Sequence, residues 1–451
     1  MRSIAEQRPL FLPVVNHPFA DLLKAISLAL SNLGEDVSML VHRDLCAGVA
    51  NPSRGRLGMS ASQVLRACVL QRMHTWTYEE FSWHLVDSAT SRDFCGIFGE
   101  DSPSATTLNS NINKLSVETL DEINALVVKA AEAAGVEDLS SIRTDCFVVE
   151  SNIHSPTDSE LLWDCARVLY RELDRARELV GTRFRNAVKI AKKLWWRLTN
   201  ARGKDKKRPL YKKLIRVVRR ATWQAERAIK ELDASSLPES FALQATLEHF
   251  LELTGKVMSQ AHRRVILGES VPATEKILSI FEPHTDIIIK GNLRIEYGHK
   301  VCVTAGSGLV TDSWLLKGNP ADSTLTVQAV ERHIERYGKV PSEFAADGGF
   351  TSRKNLQTLK EELEVGEVAF SKRRGIAIED MSSSIDTYKR LYNFRAGVEA
   401  VISFLKRGVA LRRCPMKGWE GFARYVAACT LAGNLLTLGR RLLAADTAAA
   451  G

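Results

Sequence analysis

Three carboxylates in this chain stand where they could hold a divalent metal ion. Asp145 lies in the middle of a run of strand-forming residues, where an unpaired charge is costly to bury. Asp347 follows the apolar Phe344-Ala345-Ala346 and precedes Gly348-Gly349, where the backbone can approach a ligand closely. Glu399 lies on an amphipathic helix. Hard cations such as Mg²⁺ prefer oxygen ligands, and two ions about 3.5–4 Å apart can hold the attacking and leaving oxygens of a phosphoryl transfer.

Each of these acids also has an ordinary structural explanation. A strand aspartate can be satisfied by hydrogen bonds, an Asp-Gly pair often makes a turn, and a helix glutamate is commonly solvated. The other candidates are poorer. His299 and His333 have no partners at metal-ligand spacing, and the eight cysteines include no C-x-x-C pair, so zinc is unsupported and reduced thiols are expected.

The elements around the acids predict an α/β layer that is interrupted once. A strand at Ser141–Val149 carries Asp145 and is followed by about a hundred helical residues, to Leu253. The predicted elements after it are strands at 285–290, 293–304 and 308–316, a helix at 324–337, a strand at 342–347, a helix at 352–363, a strand at 367–371, a basic linker at 372–389, a helix at 390–407 and a helical tail.

The last amphipathic helix carries a spaced motif. Tyr392-x2-Arg395-x3-Glu399-x6-Lys406 has offsets of three, four and seven residues, which place all four side chains on one helical face. A metal ligand would there be flanked by groups that bind phosphates. The motif resembles the Y-R-E-K pattern around the third acid of the DDE transposases of bacterial insertion sequences.

Other segments share this resemblance, which covers about residues 60–440. Thr144-Asp145 and Asp347-Gly348-Gly349-Phe350 are similar to the first and second acids of that family, although the family often has tyrosine where Phe350 stands. Ser104–Leu115 resembles the InsH-type N-terminal domain. Asn152–Ser159, with the helical insert that follows it, is similar to the ISNCY-type group.

The resemblance implies an α/β, RNase H-like catalytic core, with a mixed sheet and flanking helices, interrupted by a long helical insertion and preceded by an all-α DNA-binding domain. In it, Asp145, Asp347 and Glu399 would be the catalytic residues and would hold two Mg²⁺ ions, with Mn²⁺ as an alternative. Water would cleave the transposon end, and the released 3′-OH would attack target DNA. Neither a covalent intermediate nor a nucleotide cofactor is expected, and the sequence has no G-x-x-x-x-G-K-[ST] loop.

The implied partner is double-stranded DNA, both the terminal inverted repeats and the target. A homodimer or higher oligomer would form the synaptic complex, in the bacterial cytoplasm and in association with the nucleoid. One departure concerns the insertion, which the family usually carries before the third acid. Here 202 positions separate Asp145 from Asp347 and only 52 separate Asp347 from Glu399, so the insert follows the first strand.

The basic charge is concentrated in one segment. The chain carries +9, yet Gly181–Lys230 alone holds 18 Lys and Arg against two acids, a local +16, and the remaining residues therefore carry −7. Such a block indicates a polyanion-binding surface, and a solvated helical face is the alternative. The cations taken as DNA-binding within it are Lys206, Lys207, Arg208, Lys212 and Lys213.

The N-terminal third has the pattern of short helices, with a polar third helix that offers Asn109 and Lys114 to DNA, as in a helix-turn-helix. Plain packing explains the same pattern. The predicted boundaries are an arm at 1–56, the helical DNA-binding domain at 57–137, the catalytic core at 138–157 and 276–408, the basic helical insertion at 158–275 and the tail at 409–451.

Composition excludes several classes of protein. With 45% hydrophobic and 25% charged residues the chain is ordinary for a globular protein. It has neither an apolar run of 18 residues nor a signal-peptide core at its start, so no membrane association is expected. Besides an active transposase, the sequence allows a catalytically inactive, transposase-derived protein that binds DNA sequence-specifically. A purely scaffolding role leaves the local +16 unexplained.

Overall fold

The computed structural model of the chain describes residues 15–51, 54, 57–98, 101–290 and 294–450. They form two compact units. Unit 1 combines the chain up to Glu150 with the chain from His299 onward, and unit 2 is Ser151–Gly298. Residues 1–14, at whose start no signal-peptide core is expected, lie outside the described residues.

The helices and strands follow in chain order. The first part contains α1 (Pro18–Asn32), α2 (Glu35–Cys46), α3 (Ala61–His74), α4 (Tyr78–Asp87), α5 (Ala89–Cys95), α6 (Ala105–Ile112), α7 (Val117–Ala133) and β1 (Ser141–Ser151). The helical stretch is α8 (Asp158–Val180), α9 (Val188–Asn200), α10 (Lys204–Asp233) and α11 (Pro238–Ala261). The rest is β2 (Asp286–Lys290), β3 (Arg294–Ala305), β4 (Val310–Leu315), α12 (Thr326–Tyr337), β5 (Glu343–Ala346), α13 (Arg353–Gln357), β6 (Glu367–Phe370), α14 (Ile378–Met381), α15 (Ile385–Gly408), β7 (Arg413–Cys414) and α16 (Gly418–Ala450).

Unit 1 is built on a mixed sheet. Its strand order is β3-β1-β5-β6, with β4 paired to β3 and β7 paired to β1. β1, β5 and β6 are parallel, and Thr144, Ala346 and Phe370 occupy equivalent positions on them. β3 and β4 are antiparallel. This mixed sheet with flanking helices confirms the expected RNase H-like core and its helical N-terminal region.

Apolar residues of the strands explain how the helices are held. Phe344 of β5 and Phe370 of β6 are fully buried, and α15 packs across both strands. Helix α16 packs on α7, α3 and α1 in a second core, where Phe81 and Leu435 are buried. Helix α15 and the sheet are therefore packed together through two hydrophobic clusters.

Unit 2 contains a bundle of α8, α9, α10 and α11. Its core consists of the apolar stripes of these helices, with Leu162, Leu169 and Leu214 completely buried. The helical prediction for this stretch is confirmed. Within the same unit, β2 pairs antiparallel with the first half of β3, Asp286 opposite Gly298.

The structure also corrects local predictions. The Ser102-Pro103 pair predicts an N-cap at Ser102, but the N-cap of α6 is Ser104, whose hydroxyl accepts from the Thr107 amide. The supposed linker at 372–389 contains α14 and the start of α15, because Ser384 caps α15, which begins at Ile385, five residues before its predicted start. The arm expected to hold one helix contains both α1 and α2. Within the described part of the chain, no helix combines the length and apolarity needed to cross a membrane.

Candidate active site at the carboxyl edge of the sheet

The parallel strands of unit 1 bring three polar residues to one edge. Thr144, Ala346 and Phe370 are the last positions in register on β1, β5 and β6. The next residues along the three strands are Asp145, Asp347 and Ser371. Because parallel strands advance together, these side chains come to neighbouring positions although 202 residues separate the first two.

Asp347 is held as a carboxylate by its neighbours. The Ser371 hydroxyl donates to Asp347 Oδ1 at 2.6 Å, and the Gly348 amide donates to Ser371 Oγ at 2.8 Å. Burial raises the pKa of Asp347, but the hydrogen bonds from Ser371 and Gly348, with the charges of Arg395 and Lys372, outweigh it and hold the pKa below its ordinary value. Asp347 is thus prepared as an anionic oxygen ligand at neutral pH.

The pKa of Asp145 is shifted in the opposite direction from that of Asp347. Burial is the largest cause that raises its pKa, to about 6, and the nearby Asp347 raises it further. The Cys146 amide, which donates to Asp145 Oδ1 at 2.7 Å, and Arg395 act against this shift. A carboxylate whose ionisation is disfavoured by a neighbouring carboxylate is one that a divalent cation would stabilise in its charged form.

Arg395 joins the second and third acids. Its guanidinium lies 3.6 Å from Asp347 Oδ1 and 3.2 Å from Glu399 Oε1, and its side chain is 15% exposed. Glu399 is one turn further along α15, with its side chain 66% exposed. The structure therefore brings Asp145, Asp347 and Glu399 into one electrostatic cluster, with Arg395 as the shared cation.

The other residues of the helical motif lie along the same side of α15. The Lys406 ammonium lies 5.1 Å from the ring centre of Phe147, two residues beyond Asp145 on β1. Tyr392 is 43% exposed, and its ring lies 6.4 Å from that of Tyr388. The motif therefore faces the strand edge that carries the acids, with Tyr392 and Lys406 on either side of Arg395 and Glu399 in sequence.

The donor set fits a hard divalent cation, because it consists of carboxylate oxygens with one aspartate already ionised. Asp145 and Asp347 would hold the ion, and Glu399 would join them after release from Arg395. In the side-chain positions of the described residues, no group of three or more His, Cys, Asp or Glu is already arranged as ligands. The carboxylates are thus close to one another, while the Arg395 guanidinium contacts both Asp347 and Glu399.

Two neighbours of the acids are not among the residues predicted from the sequence. The Asp322 carboxylate fills the space that a side chain at Gly349 would need, forms an ion pair with Lys300 at 2.5 Å and raises the pKa of Asp145. The stem of Lys372 fills the equivalent space at Gly348. The paired glycines did signal a close approach, but nothing in the sequence shows which side chains make it.

The remaining predicted DNA-binding residues belong to other parts of the molecule. Asn109 and Lys114 are exposed, on α6 and just after it; the Asn109 amide oxygen accepts from Asn113, and Lys114 donates to the Leu45 carbonyl at 3.5 Å. On α10 of unit 2, Lys206, Arg208, Lys212 and Lys213 are exposed and Lys207 is half-buried. Arg208 also donates to the Ile266 carbonyl at 2.8 Å.

The site consists of carboxylates on β1, directly after β5 and on α15, and a mixed sheet with flanking helices that carries them is typical of an RNase H-like core. Residues 294–435 match the family model described as "Transposase DDE domain". This match, which covers less than half of the chain, supports a DDE transposase of the insertion-sequence type. The match contains Asp347 and the helical motif but not Asp145, which precedes it. No curated protein and no solved structure matches the chain.

Proposed function

We propose that this protein is a DNA transposase that cleaves strands at transposon ends and joins the released 3′-OH to target DNA. The observation that carries the proposal is the meeting of Asp145, Asp347 and Glu399 around Arg395, at the edge where parallel strands end. The proposed catalytic residues are these three acids. Tyr392, Arg395 and Lys406 are proposed to contact DNA from α15.

The chain's own residues would prepare the site. Ser371 and Gly348 keep Asp347 ionised, and Arg395 keeps Glu399 beside it. Two divalent cations, Mg²⁺ or alternatively Mn²⁺, would when bound polarise the reacting phosphate and activate the attacking oxygen. Arg395, freed from the acids, would then be available to a DNA phosphate, because guanidinium groups bind phosphate and carboxylate oxygens in similar geometry.

The other regions receive proposed roles. Residues 57–137, with Asn109 and Lys114, would recognise the terminal inverted repeats, and the basic insertion at 158–275 would hold duplex DNA through Lys206, Lys207, Arg208, Lys212 and Lys213. The core would be 138–157 with 276–408, between the arm at 1–56 and the tail at 409–451. We further propose membership of the InsH or ISNCY-type group, a bacterial nucleoid-associated location and a homodimeric or larger synaptic complex.

A cleavage assay tests the proposal. The substrate is a duplex that carries the inverted repeats found beside the gene. We expect strand cleavage that leaves a 3′-OH with Mg²⁺ or Mn²⁺ and none with a chelator. Specific binding without cleavage under either metal would favour the second candidate, an inactive DNA-binding protein. The intact acids speak against that candidate, since a protein without catalysis has no need of ionised Asp347 beside Asp145.

A further inference from the structure

The turn after β6 lies at the same strand edge as the carboxylates. Ser371, the residue in register with Asp347, donates its hydroxyl to that carboxylate. Lys372, Arg373 and Arg374 follow directly, and all three are exposed. We call these three residues the β6 turn. Its cations thus begin one residue from a group that touches the proposed catalytic aspartate.

The backbone of the β6 turn is held on both sides. The Thr351 hydroxyl donates to the Lys372 carbonyl at 2.7 Å, and Arg353 donates to the Gly375 carbonyl at 3.1 Å. Arg374 and Gly375 both have positive φ, +50° and +83°, which closes the turn tightly. The backbone of this turn is therefore ordered while its charged side chains are exposed to solvent. This combination is typical of a binding surface and not of a flexible connecting loop.

The turn is continuous with the helical motif. The Lys372 stem packs on Gly348, and the charge of Arg373 acts on Tyr388, which donates to the Phe370 carbonyl at 2.8 Å. Tyr388 is next to Tyr392 on α15. The cations therefore extend the proposed DNA-contacting face of α15 along the edge of the sheet, on the β6 side of Asp347.

We propose that the β6 turn is a phosphate-binding element that holds the DNA backbone beside the carboxylates. The ligand is the phosphodiester of duplex DNA, which presents anions at regular spacing and suits several exposed cations in a row. The carboxylates repel the same phosphates, so cations next to them are needed to bring the backbone close. This inference rests on the proposed function for its substrate and adds residues that the helical motif does not include.

The test compares the full-length protein with Arg373→Gln/Arg374→Gln, using a short duplex of arbitrary sequence at several salt concentrations. If both arginines neutralise a phosphate, the slope of log K against log salt becomes less steep by about 1.8. The matched control is Lys129→Gln/Lys339→Gln. Lys339 lies between α12 and the start of β5, at the opposite end of that strand, and Lys129 lies over the ring of Tyr337 beside it. For this control variant, the slope of log K against log salt should equal that of the wild type.

A second measurement, photo-crosslinking, reports contact with DNA directly and does not rely on a change in binding affinity. The photo-crosslinking residue p-benzoylphenylalanine in place of Arg374 should attach to the duplex, and the same residue in place of Lys339 should not. An unchanged slope, an equal change in the control pair, or no cross-link from position 374 would overturn the inference. A wild-type protein that binds through the turn but never cleaves its transposon ends would instead refute the proposed function and leave this inference standing.

Discussion

The carboxylate site of unit 1 and the basic helices of unit 2 are built in opposite ways. The site joins residues from β1, β5, β6 and α15, and its acids are partly buried among hydrogen bonds and one shared arginine. The cations of α9 and α10 come from one continuous segment and mostly face solvent. Chemistry thus depends on long-range topology, while the charge that would bind a polyanion depends only on local composition.

The largest effect should follow from removing an acid of the first region. Asp347→Asn takes away the carboxylate that Ser371 and Arg395 organise. Strand cleavage should fall by more than the roughly 100-fold seen when outer partners of a metal site are changed. Affinity for DNA should change little, because the lost group faces metal and not phosphate.

The matched control for that variant is Glu331→Gln, which removes an exposed charge from the middle of α12. Its cleavage rate should equal that of the wild type in the same gel assay. Cleavage that survives Asp347→Asn would remove this residue from the proposed catalytic set and, with it, the contrast drawn between the two regions.

Two buried glutamates allow the stability of the two units to be compared. One has hydrogen-bond partners that are distant in sequence, and the other has partners that are close in sequence. The buried Glu137 carboxylate accepts from the amides of Ser307, Gly308 and Leu309, far along the chain. In unit 2, the equally buried Glu172 pairs with its neighbours Arg171 and Arg175, which are 56% and 64% exposed.

Glu137→Gln should therefore lower the free energy of unfolding by about 3 kcal/mol, since it leaves buried donors without an acceptor. Glu172→Gln should cost about 1 kcal/mol or less, because its arginines can turn to water. Urea denaturation followed by circular dichroism measures both. Equal losses would mean that the long-range carboxylate stabilises its unit no more than the local one does.

The third effect concerns the affinity of the basic helix α10 for DNA and the dependence of that affinity on salt. Neutralising Lys206, Lys207, Arg208, Lys212 and Lys213 to Gln should flatten the salt dependence of duplex binding. Arg208 already donates to the Ile266 carbonyl, so four cations are free to act on phosphates, and the slope should change by about 3.6. Sequence preference should change little, since phosphate contacts do not distinguish bases.

The control exchanges Lys for Arg at the same four lysines and Arg208 for Lys, which keeps the charge. Its slope in the same salt-titrated binding assay should match that of the wild type. If the neutralised variant also keeps the wild-type slope, α10 does not hold DNA, and a protein partner becomes the better explanation of its charge.

Much of the architecture was predictable because it depends on local patterns. The strand around Asp145, the β2–β4 meander, α12 and the helical stretch of unit 2 all follow from periodicity and turn residues, and the structure confirms them. Thr77 and Glu80 have the Thr-x-x-Glu spacing that predicts a capping box, and that box is present at the start of α4. Trp195, one of the tryptophans in the basic segment, donates to Glu160 at 2.7 Å and packs near Trp163.

The neighbours of the acids were not predictable, because they depend on strand register. Ser371 meets Asp347 only because β5 and β6 are parallel and in register, and Asp322 comes from a loop with no recognisable motif. The segment after Ser371 looked like a linker because its composition is basic and polar. Its position at the sheet edge that carries the carboxylates is visible only when the sheet is assembled.

The smallest effect is a dependence on pH that arises from the buried charges of unit 1. Asp121 on α7 lies beside Arg336, which also binds the buried Asp312 at 3.0 Å. Burial raises the pKa of Asp121 to about 7, with Asp312 adding to the shift and Arg336 opposing it. The folded state therefore favours the protonated form more strongly than the unfolded chain does, so this group's contribution to stability is complete below about pH 4 and is lost as the pH rises through 7.

Asp121→Asn removes the titration while keeping the shape of the side chain. At or below pH 4 the variant and the wild type should unfold at similar urea concentrations, because the wild-type side chain is then largely neutral in the folded protein and substantially neutral in the unfolded chain as well. At pH 8 the variant should be more stable. A shift of about three pKa units corresponds to at most about 4 kcal/mol, and the side chain's 24% exposure reduces the expected gain to about 2 kcal/mol. A variant that loses stability at pH 8 would show that the ionised Asp121 is needed by Arg336, and the buried charges of unit 1 would then act as attractive pairs, as those on the surface of unit 2 do.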